Sequence, residues 1–448
     1  MKKNLLSAIF VYIGLIANAQ WNVVGTTCFS PGSIPAPQCF AVSKSGVPFV
    51  IFYDSNYNDS ISVMKFDGTN WVYVGSPAIA AGYLGGGDTV PSLDLDPLGN
   101  PAFVFYDQTV NRLSVIKFNG SNWAYIGSPG LSAGNNALFS SFCFDNVGIP
   151  YVAFKDWDSS PGGLTIMKFN GSAWLTLGSP SGLYADWIKI TTDNSGIPYV
   201  VFSEQSMSYK LSVMKFNGSS WVYVGSPGFT TSNAYYADIA IDSSGTPYVF
   251  GSGTSTPSVW KFSGSSWSNI SSGIPGVQIS YGSAGIKIPA SGNLYIVFQD
   301  ASTGYISVMQ YDAATWSYIG AIQASVTQGS TSNIGIDSVG NPYIAYSDLG
   351  CTNTTTVRKF LMPIGVDEIT EQNTVTIYPN PSTGQVSFDG VVENNLVEVM
   401  DITGRLIFSH TSYSNNPTID LSNLDKGMYL YRITDEQNKI QQGKVILR

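Results

Sequence analysis

Short hydrophobic runs with β-type patterning recur through residues 20–362. One complete unit, residues 91–127, reads PSLDLDPLGN, PAFVFYDQTV, NRLSVIKFNG and SNWAYIG. Runs of this length, rich in aromatic and β-branched residues and bounded by Gly, Asn and Asp, predict strands. No segment of helical period interrupts them. Each unit therefore predicts a meander of four short strands.

A tryptophan marks each repeat of this unit. Seven of them open strand-like phrases such as WVYVGSP, at intervals of 46 to 52 residues: Trp21, Trp71, Trp123, Trp174, Trp221, Trp267 and Trp316. Four-stranded units of roughly 40 to 50 residues are typical of β-propeller blades. We expect these tryptophans to pack between blades.

The turns fit the same unit. The first turn carries Asp and Gly three residues apart, as in Asp96 and Gly99, which suits a type I turn. The third turn is Asn-Gly in three units, for example Asn119-Gly120, and this dipeptide favours tight hairpins. The D-x-x-G-x-P-Y-V phrase is similar to bacterial propellers of the NHL-like and TolB-like group, a similarity that implies no activity.

The ends of the repeat region predict how the ring closes. The last unit stops at Phe360 without a WxxxG strand, whereas Trp21 to Gly25 has that pattern and no three strands before it. A propeller must close its ring or leave a strand edge exposed. The sequence therefore predicts an all-β fold, in which residues 20–362 form a seven-bladed β-propeller closed 3+1 by the N-terminal strand.

Residues 1–19 have the order of a secretory signal peptide. Lys2 and Lys3 precede an apolar run from Leu5 to Ile16, and Ala17-Asn18-Ala19 follows. The alternative is a membrane anchor, but a span needs roughly 20 apolar residues. We expect cleavage after Ala19, and we expect no transmembrane segment in the rest of the chain.

Composition excludes several classes of function. The chain has 21 Lys plus Arg against 30 Asp plus Glu, a net charge of −9, and no basic run. Nucleic acid and anionic membrane surfaces are therefore improbable partners. The one histidine, His410, lies outside the repeats, so a Ser-His-Asp site and a His metal site are not expected in the propeller. We predict no cofactor, metal or catalytic residue, although glycosidase chemistry with Asp residues alone stays open.

One set of acidic residues recurs at the end of the second strand of six units: Asp54, Asp107, Asp156, Glu204, Asp300 and Asp348. Two interpretations stay open. Each carboxylate either caps the N–H groups of its own loop, or contributes to an acidic ring that faces a ligand. A calcium loop from Asp54 to Asp59 is a weaker alternative, because it lacks the Gly and the distal Glu of an EF-hand.

Several aromatic residues depart from the repeat and lie in or beside the connections between units. They are Tyr83, Trp157, Tyr184, Trp187, Tyr235 and Tyr236. Such side chains can stack on carbohydrate rings. Trp187 and Tyr236 are the predicted ligand-binding pair, on the face of the ring where the acidic residues end their strands.

The chain has four cysteines, and export permits a disulfide. Cys28 follows the closing strand and Cys351 follows the second strand of the last unit, so this pair is the preferred disulfide. Cys28 with Cys39 is the rival pairing. Cys143 is expected to be buried and unpaired.

The C-terminal segment, residues 374–448, carries a different set of motifs after a short linker at residues 363–373. They comprise Tyr378, Pro379, Asn380 and Pro381, then Gly404 and Arg405, then Gly427 and Tyr429, and finally Lys444. Their order and position resemble the type A C-terminal sorting domain of the Bacteroidota type IX secretion system. The resemblance implies a small Ig-like β-sandwich, recognition by the type IX secretion machinery, and delivery through the periplasm to the outer-membrane surface or the medium. The alternative is an ordinary Ig-like binding module.

Three functional hypotheses remain. The leading one is a secreted or cell-surface propeller that binds a glycan or protein ligand, since such a ring offers a rigid face lined by loops. The second is a carbohydrate-active hydrolase or lyase that uses loop Asp residues. The third is a structural adhesin or surface-layer component.

Overall fold

The structure is a computed structural model. It describes residues 20–32, 39–81, 91–158, 163–178, 180, 183–252, 257–274, 279–361, 375–402, 405–435 and 440–448. The predicted signal peptide and linker lie outside these ranges, as do Tyr83 and Gly404. The chain divides into two compact units, Met1–Pro363 and Ile364–Arg448. In the described ranges no helix has the length and apolar character needed to cross a membrane.

The first unit begins with β1 (Gln20–Val23), and its described residues form seven antiparallel sheets of four strands each. Six sheets, numbered 1 to 6 in chain order, are each made of four consecutive strands. These strands are β2 (Phe40–Val42), β3 (Pro48–Asp54), β4 (Ser60–Phe66), β5 (Trp71–Tyr73), β6 (Ser92–Leu95), β7 (Pro101–Asp107), β8 (Arg112–Phe118), β9 (Trp123–Tyr125), β10 (Ala137–Phe144), β11 (Pro150–Asp156), β12 (Gly163–Phe169), β13 (Trp174–Thr176), β14 (Ala185–Thr192), β15 (Pro198–Glu204), β16 (Lys210–Phe216), β17 (Trp221–Tyr223), β18 (Tyr235–Ile241), β19 (Pro247–Ser252), β20 (Pro257–Phe262), β21 (Trp267–Asn269), β22 (Ile279–Lys287), β23 (Leu294–Asp300), β24 (Ile306–Tyr311) and β25 (Trp316–Tyr318).

Sheet 7 contains both ends of the unit. Its strands β26 (Gly329–Ile336), β27 (Pro342–Asp348) and β28 (Thr354–Leu361) are completed by β1, in the order β1-β28-β27-β26. Trp21 lies opposite Phe360 in this pairing. The predicted closure of the propeller by the N-terminal strand is therefore confirmed. Three short 3-10 turns, Ser55–Tyr57, Gln205–Met207 and Leu349–Cys351, follow second strands.

The first strands of the sheets surround a central channel. Each of β2, β6, β10, β14, β18, β22 and β26 contacts the next, and β26 contacts β2. The faces of neighbouring sheets pack on buried aromatic rings, among them Phe52, Phe105 and Phe202. These rings occupy the same position of the second strand in their sheets.

The repeat tryptophans link neighbouring sheets by hydrogen bonds. In sheet 1 the indole Nε1–H of Trp71 donates to the carbonyl oxygen of Val24 at 2.9 Å, and in sheet 2 that of Trp123 donates to Val74 at 2.7 Å. The same bond recurs from Trp174, Trp221, Trp267 and Trp316. Trp21 donates to Ile319 at 3.0 Å, so β1 takes part in the series like any other fourth strand.

The second unit is a small β-domain. Its strands are β29 (Thr376–Tyr378), β30 (Gln385–Asp389), β31 (Leu396–Met400), β32 (Leu406–Thr411), β33 (Thr418–Asp420), β34 (Gly427–Thr434) and β35 (Ile440–Leu447). They form two sheets, β29-β30-β33 and β32-β31-β34-β35. Val386, Phe388, Val397 and Val445 from the two sheets share one buried core. This arrangement has the two-layer form of the β-sandwich that the resemblance to the sorting domain implies.

Candidate aromatic ligand site

Five consecutive inner strands of the propeller show a register shift near their start, namely β10, β14, β18, β22 and β26. In β10 the shift lies between Leu138 and Ser141, and β14 and β18 shift at corresponding places. In these three strands a bulky aromatic residue with positive φ stands in the bulge: Phe139 at 52°, Trp187 at 54° and Tyr236 at 55°. Bulky side chains rarely adopt this conformation, and bulges commonly redirect a side chain near a functional site.

The bulges bring these rings into one group, which we call the mouth cluster and define as Phe139, Trp187, Tyr235 and Tyr236. The ring centroids of Phe139 and Trp187 are 5.0 Å apart, and those of Trp187 and Tyr236 are 4.0 Å apart. Tyr235 meets Trp187 edge-on at 6.4 Å. All four side chains are half-buried. The structure therefore places the predicted pair, Trp187 and Tyr236, in direct contact.

Strand register places the mouth cluster at one end of the channel. Ala137 in β10 lies opposite Asp156, and Ala185 in β14 lies opposite Glu204. The start of each inner strand therefore adjoins the end of the second strand, from which the connecting loops emerge. This is the face for which a ligand was predicted.

A second aromatic group, the outer pair, consists of Trp157 and Tyr184. Their ring centroids are 5.2 Å apart, and their residues are 44% and 42% exposed. The ammonium group of Lys155 lies 4.2 Å from the Trp157 ring and 5.8 Å from the Phe139 ring. Lys155 thus connects the outer pair to the mouth cluster.

An ion pair lies between the two aromatic groups. The Nζ atom of Lys155 is 2.5 Å from Oδ1 of Asp186, and the two side chains are 8% and 20% exposed. Because the pair is shielded from water, removal of one partner would leave the other charge poorly solvated. Neither Lys155 nor Asp186 was predicted as a site residue, since each is an ordinary polar position within a strand.

The carboxylates of the six acidic residues of the repeat are engaged in hydrogen bonds with nearby backbone and hydroxyl groups. Asp54 accepts from the backbone N–H of Asn56 at 3.1 Å and from the hydroxyl of Tyr73 at 2.8 Å. Asp107 accepts from the backbone and the hydroxyl of Thr109 and from the hydroxyl of Tyr125. Burial would raise the pKa of Asp107, but these hydrogen bonds outweigh it, so the pKa lies below the usual value.

The other four acids follow the same scheme. Asp156 accepts from the N–H of Asp158, Glu204 from the hydroxyl of Ser206, Asp300 from the N–H of Ser302, and Asp348 from the N–H of Gly350. All except Asp300 are buried. These hydrogen bonds favour the loop-cap interpretation, and the acidic ring that faces a ligand stays a prediction.

Cys28 and Cys351 form a disulfide, with their Cα atoms 5.9 Å apart. It joins the segment after β1 to the loop after β27. The rival partner, Cys39, is buried, and its thiol donates to the carbonyl oxygen of Pro91. Cys143 is buried and outside any disulfide, as expected.

The predicted sorting motifs lie at turns and strand ends of the second unit. The side chain of Asn380 donates to the carbonyl oxygen of Lys444 and accepts from the N–H of Ile446, each at 2.9 Å. Arg405 pairs with Asp401 at 3.0 Å, and the hydroxyl of Tyr429 donates to the carbonyl oxygen of Asp425. The other described motif residues, Tyr378, Pro379, Pro381, Gly427 and Lys444, lie in β29, β34, β35 or the turn after β29.

Residues 376–448 match the family described as the secretion system C-terminal sorting domain. No curated protein matches the chain.

Among solved structures, a polysaccharide lyase of family PL25, an ulvan lyase, is 11% identical, with 75% of this chain and 95% of that chain covered and a TM-score of 0.49. PorZ of Porphyromonas gingivalis, a surface component of the type IX secretion system, is 13% identical, with 90% and 64% covered and a TM-score of 0.36. The lectin of Aleuria aurantia, described as a six-bladed β-propeller, is 16% identical, with 66% and 100% covered and a TM-score of 0.43. This chain carries a type IX sorting domain at residues 376–448, after a β-propeller, and is therefore exported to the cell surface or secreted.

Proposed function

We propose that the propeller is a glycan-binding protein that acts on the cell surface or in the medium. The observation that carries this proposal is the mouth cluster, in which three successive inner strands hold aromatic rings at bulges with positive φ. Aromatic faces bind the apolar faces of sugar rings, and nearby polar groups then fix the orientation. Here Asp186 and Lys155 supply the polar groups.

The arrangement also suits an extended ligand. The outer pair offers exposed rings beside the mouth cluster, and Lys155 approaches rings of both groups. A saccharide chain lying across the face of sheets 3 to 5 would stack first on Trp157 and Tyr184 and then on Trp187 and Tyr236. The Asp186 carboxylate would accept hydrogen bonds from sugar hydroxyls.

The domain plan belongs to the same proposal. We infer that residues 1–19 are removed as a signal peptide, that residues 20–362 are the exported cargo, and that residues 363–373 link it to a sorting domain at residues 374–448. The type IX machinery would read this last segment, while the propeller would meet the ligand outside the cell.

One experiment separates this function from the two alternatives. The full chain is incubated with a panel of polysaccharides, and both pull-down and the release of reducing ends are measured. Glycan binding predicts retention on at least one polysaccharide without new reducing ends. New ends would instead indicate a hydrolase or lyase, and neither signal would favour a structural adhesin or surface-layer component.

A further inference from the structure

Four carboxylates lie beside the aromatic residues of the candidate site: Asp156, Asp158, Asp186 and Glu204. Trp157 of the outer pair stands between Asp156 and Asp158 in the sequence, and Asp186 directly precedes Trp187 of the mouth cluster. The fourth carboxylate ends β15 and adjoins the start of β14, where the outer pair and the mouth cluster meet. A ligand that stacks on these rings therefore lies close to several carboxylates.

The cations at this end of sheets 3 and 4 are fewer. The described residues there include two, Lys155 in β11 and Lys210 at the start of β16. Lys155 is engaged by Asp186, with its Nζ atom 2.5 Å from Oδ1, and Lys210 lies opposite Glu204 in the strand pairing. Four carboxylates against two ammonium groups leave this end of the two sheets with a net negative charge.

Hydrogen bonds hold the carboxylate of Asp158 in its charged form beside the outer pair. The side-chain amide of Asn136 donates to Oδ1 at 2.9 Å, and its backbone N–H donates to Oδ2 at 2.8 Å. These bonds lower the pKa of Asp158. Their donors are neutral, so they fix the carboxylate without cancelling its charge. An anionic group stacked on Trp157 would lie next to this fixed negative charge.

A structural role as loop caps leaves the charge of the neighbouring acids in place as well. Asp156 accepts from the backbone N–H groups of Ala133 and Asp158, and Glu204 accepts from the hydroxyl of Ser206. These donors carry no positive charge. The caps therefore contribute to the potential at the mouth whether or not they touch a ligand.

The repeated lysines of the third strands lie at the opposite end of the sheets. Lys168 pairs in register with Tyr151, and Lys215 with Tyr199, in each case one residue after the second strand begins. The ammonium group of Lys117 reaches Asp96 in the first turn of its sheet, at 2.6 Å. Lysines of the repeat are thus concentrated at the end away from the mouth cluster. The aromatic site lies at the end where carboxylates predominate.

We propose that the aromatic site selects uncharged glycans and rejects glycans that carry carboxylate or sulfate groups. This inference rests on the proposed function and adds the charge class of the ligand. The hydroxyl groups of a neutral sugar can donate to carboxylates such as Asp186. A uronate or sulfate group would be repelled by the same carboxylates, and it would have to compete with Asp186 for Lys155.

The test uses the full chain and pairs of polysaccharides that share a backbone and differ in charge. The pairs are hydroxyethyl cellulose with carboxymethyl cellulose, dextran with dextran sulfate, and methyl-esterified with de-esterified pectin. Binding at the site is measured as the affinity that the Trp187→Ala, Tyr236→Ala double variant loses. At low salt the neutral member of at least one pair should bind in this way, and its anionic partner should bind about tenfold more weakly or worse. In about 1 M sodium chloride, where the Debye length is about 3 Å, the difference should shrink.

Asp158→Asn tests the source of the discrimination, because it removes one negative charge and keeps the shape of the side chain. At low salt it should reduce the ratio of neutral to anionic affinity by about twofold or more. Asp67→Asn is the matched control. Asp67 is likewise an exposed carboxylate whose pKa is lowered by backbone N–H groups, those of Asn70 and Thr69, but it lies in a hairpin at the opposite end of sheet 1. This control should leave the ratio unchanged.

The outcomes separate this inference from the proposed function. If an anionic polysaccharide binds at the site as tightly as its neutral partner, or if Asp158→Asn leaves the ratio unchanged, the charge selection is wrong and the glycan site stands. If no polysaccharide of the panel loses affinity in the double variant, the proposed glycan site fails, and the charge selection fails with it.

Discussion

Replacement of Trp21 tests whether the N-terminal strand closes the propeller as a working fourth strand. Its indole is 5% exposed, donates to the carbonyl oxygen of Ile319 at 3.0 Å, and packs on Phe360 with ring centroids 5.4 Å apart. Its backbone carbonyl oxygen also accepts from the guanidinium of Arg358. Trp21 therefore contacts sheets 6 and 7 at once.

The structure sets the expected magnitudes. Trp21→Phe keeps a ring but leaves the carbonyl oxygen of Ile319 without its donor, which costs about 1 to 3 kcal/mol of unfolding free energy. Trp21→Ala also removes the packing on Phe360 and leaves a cavity, so the cost rises to about 3 to 5 kcal/mol. Urea unfolding of the full chain, followed by near-ultraviolet circular dichroism, measures both.

Trp174 provides the matched control, because its indole makes the same bond, to Ile126 at 2.7 Å, within an uninterrupted sheet. Trp174→Phe and Trp21→Phe should cost similar amounts. A Trp21→Ala protein that unfolds within about 0.5 kcal/mol of the wild type, while Trp174→Ala loses several, would refute closure by β1.

Three further predictions address the disulfide, the loop caps and export. Changing Cys28 and Cys351 to Ser together should destabilise the propeller by up to about 5 kcal/mol, because the bond closes a loop across 323 residues, and should abolish the effect of reductant on unfolding; equal sensitivity to reductant in both proteins would contradict this. The lowered pKa of Asp107 contributes stability that is present above the unfolded-state pKa of about 4 and is lost as pH falls through the folded-state value. Asp107→Asn should therefore reduce the loss of unfolding free energy on the acid side of a plot against pH. An unchanged acid profile would argue against the cap. A chain that ends at Met362 should accumulate in the periplasm while the full chain reaches the surface or medium, as cell fractionation can show, and normal delivery of the short chain would exclude a sorting role for the C-terminal segment.

Closure could be predicted from the sequence, and Trp187 and Tyr236 could be singled out as candidates, because each departs from the repeat. The last unit lacks a fourth strand and Trp21 begins a strand without partners. Trp187 and Tyr236 depart from the pattern of the other units. Such departures are visible without coordinates, because the repeat itself defines what is ordinary at each position.

The rest of the candidate site depends on side-chain direction, which the repeat does not encode. From the sequence, Phe139 looks like an ordinary core residue of its strand. In the structure a bulge directs its side chain toward Trp187. One signal could have revealed it, since Phe139, Trp187 and Tyr236 each stand six residues before the Asp of the first turn. The ion pair of Lys155 with Asp186 joins different sheets, and no spacing within one unit could predict it.

For the acidic residues, the repeat predicts the position of each carboxylate but not its role. Their regular recurrence is equally compatible with a structural cap and with a ligand-facing ring, because both place a carboxylate at the end of the second strand. Burial and hydrogen bonds from the following loop favour the cap for Asp54 and Asp348. Periodicity alone therefore cannot distinguish architecture from function in a repeat protein.

The affinity of the Trp187→Ala, Tyr236→Ala double variant for a polysaccharide retained by the wild type tests the central proposal most directly. Tyr57→Ala, which removes a 43% exposed ring from a loop of sheet 1, is the matched control. The double variant should lose about 1 to 3 kcal/mol of binding free energy with a nearly unchanged melting temperature, and the control should bind normally. Unchanged affinity in the double variant, with binding mapped to the opposite face at the Asn-Gly hairpins, would contradict a glycan site at the mouth cluster.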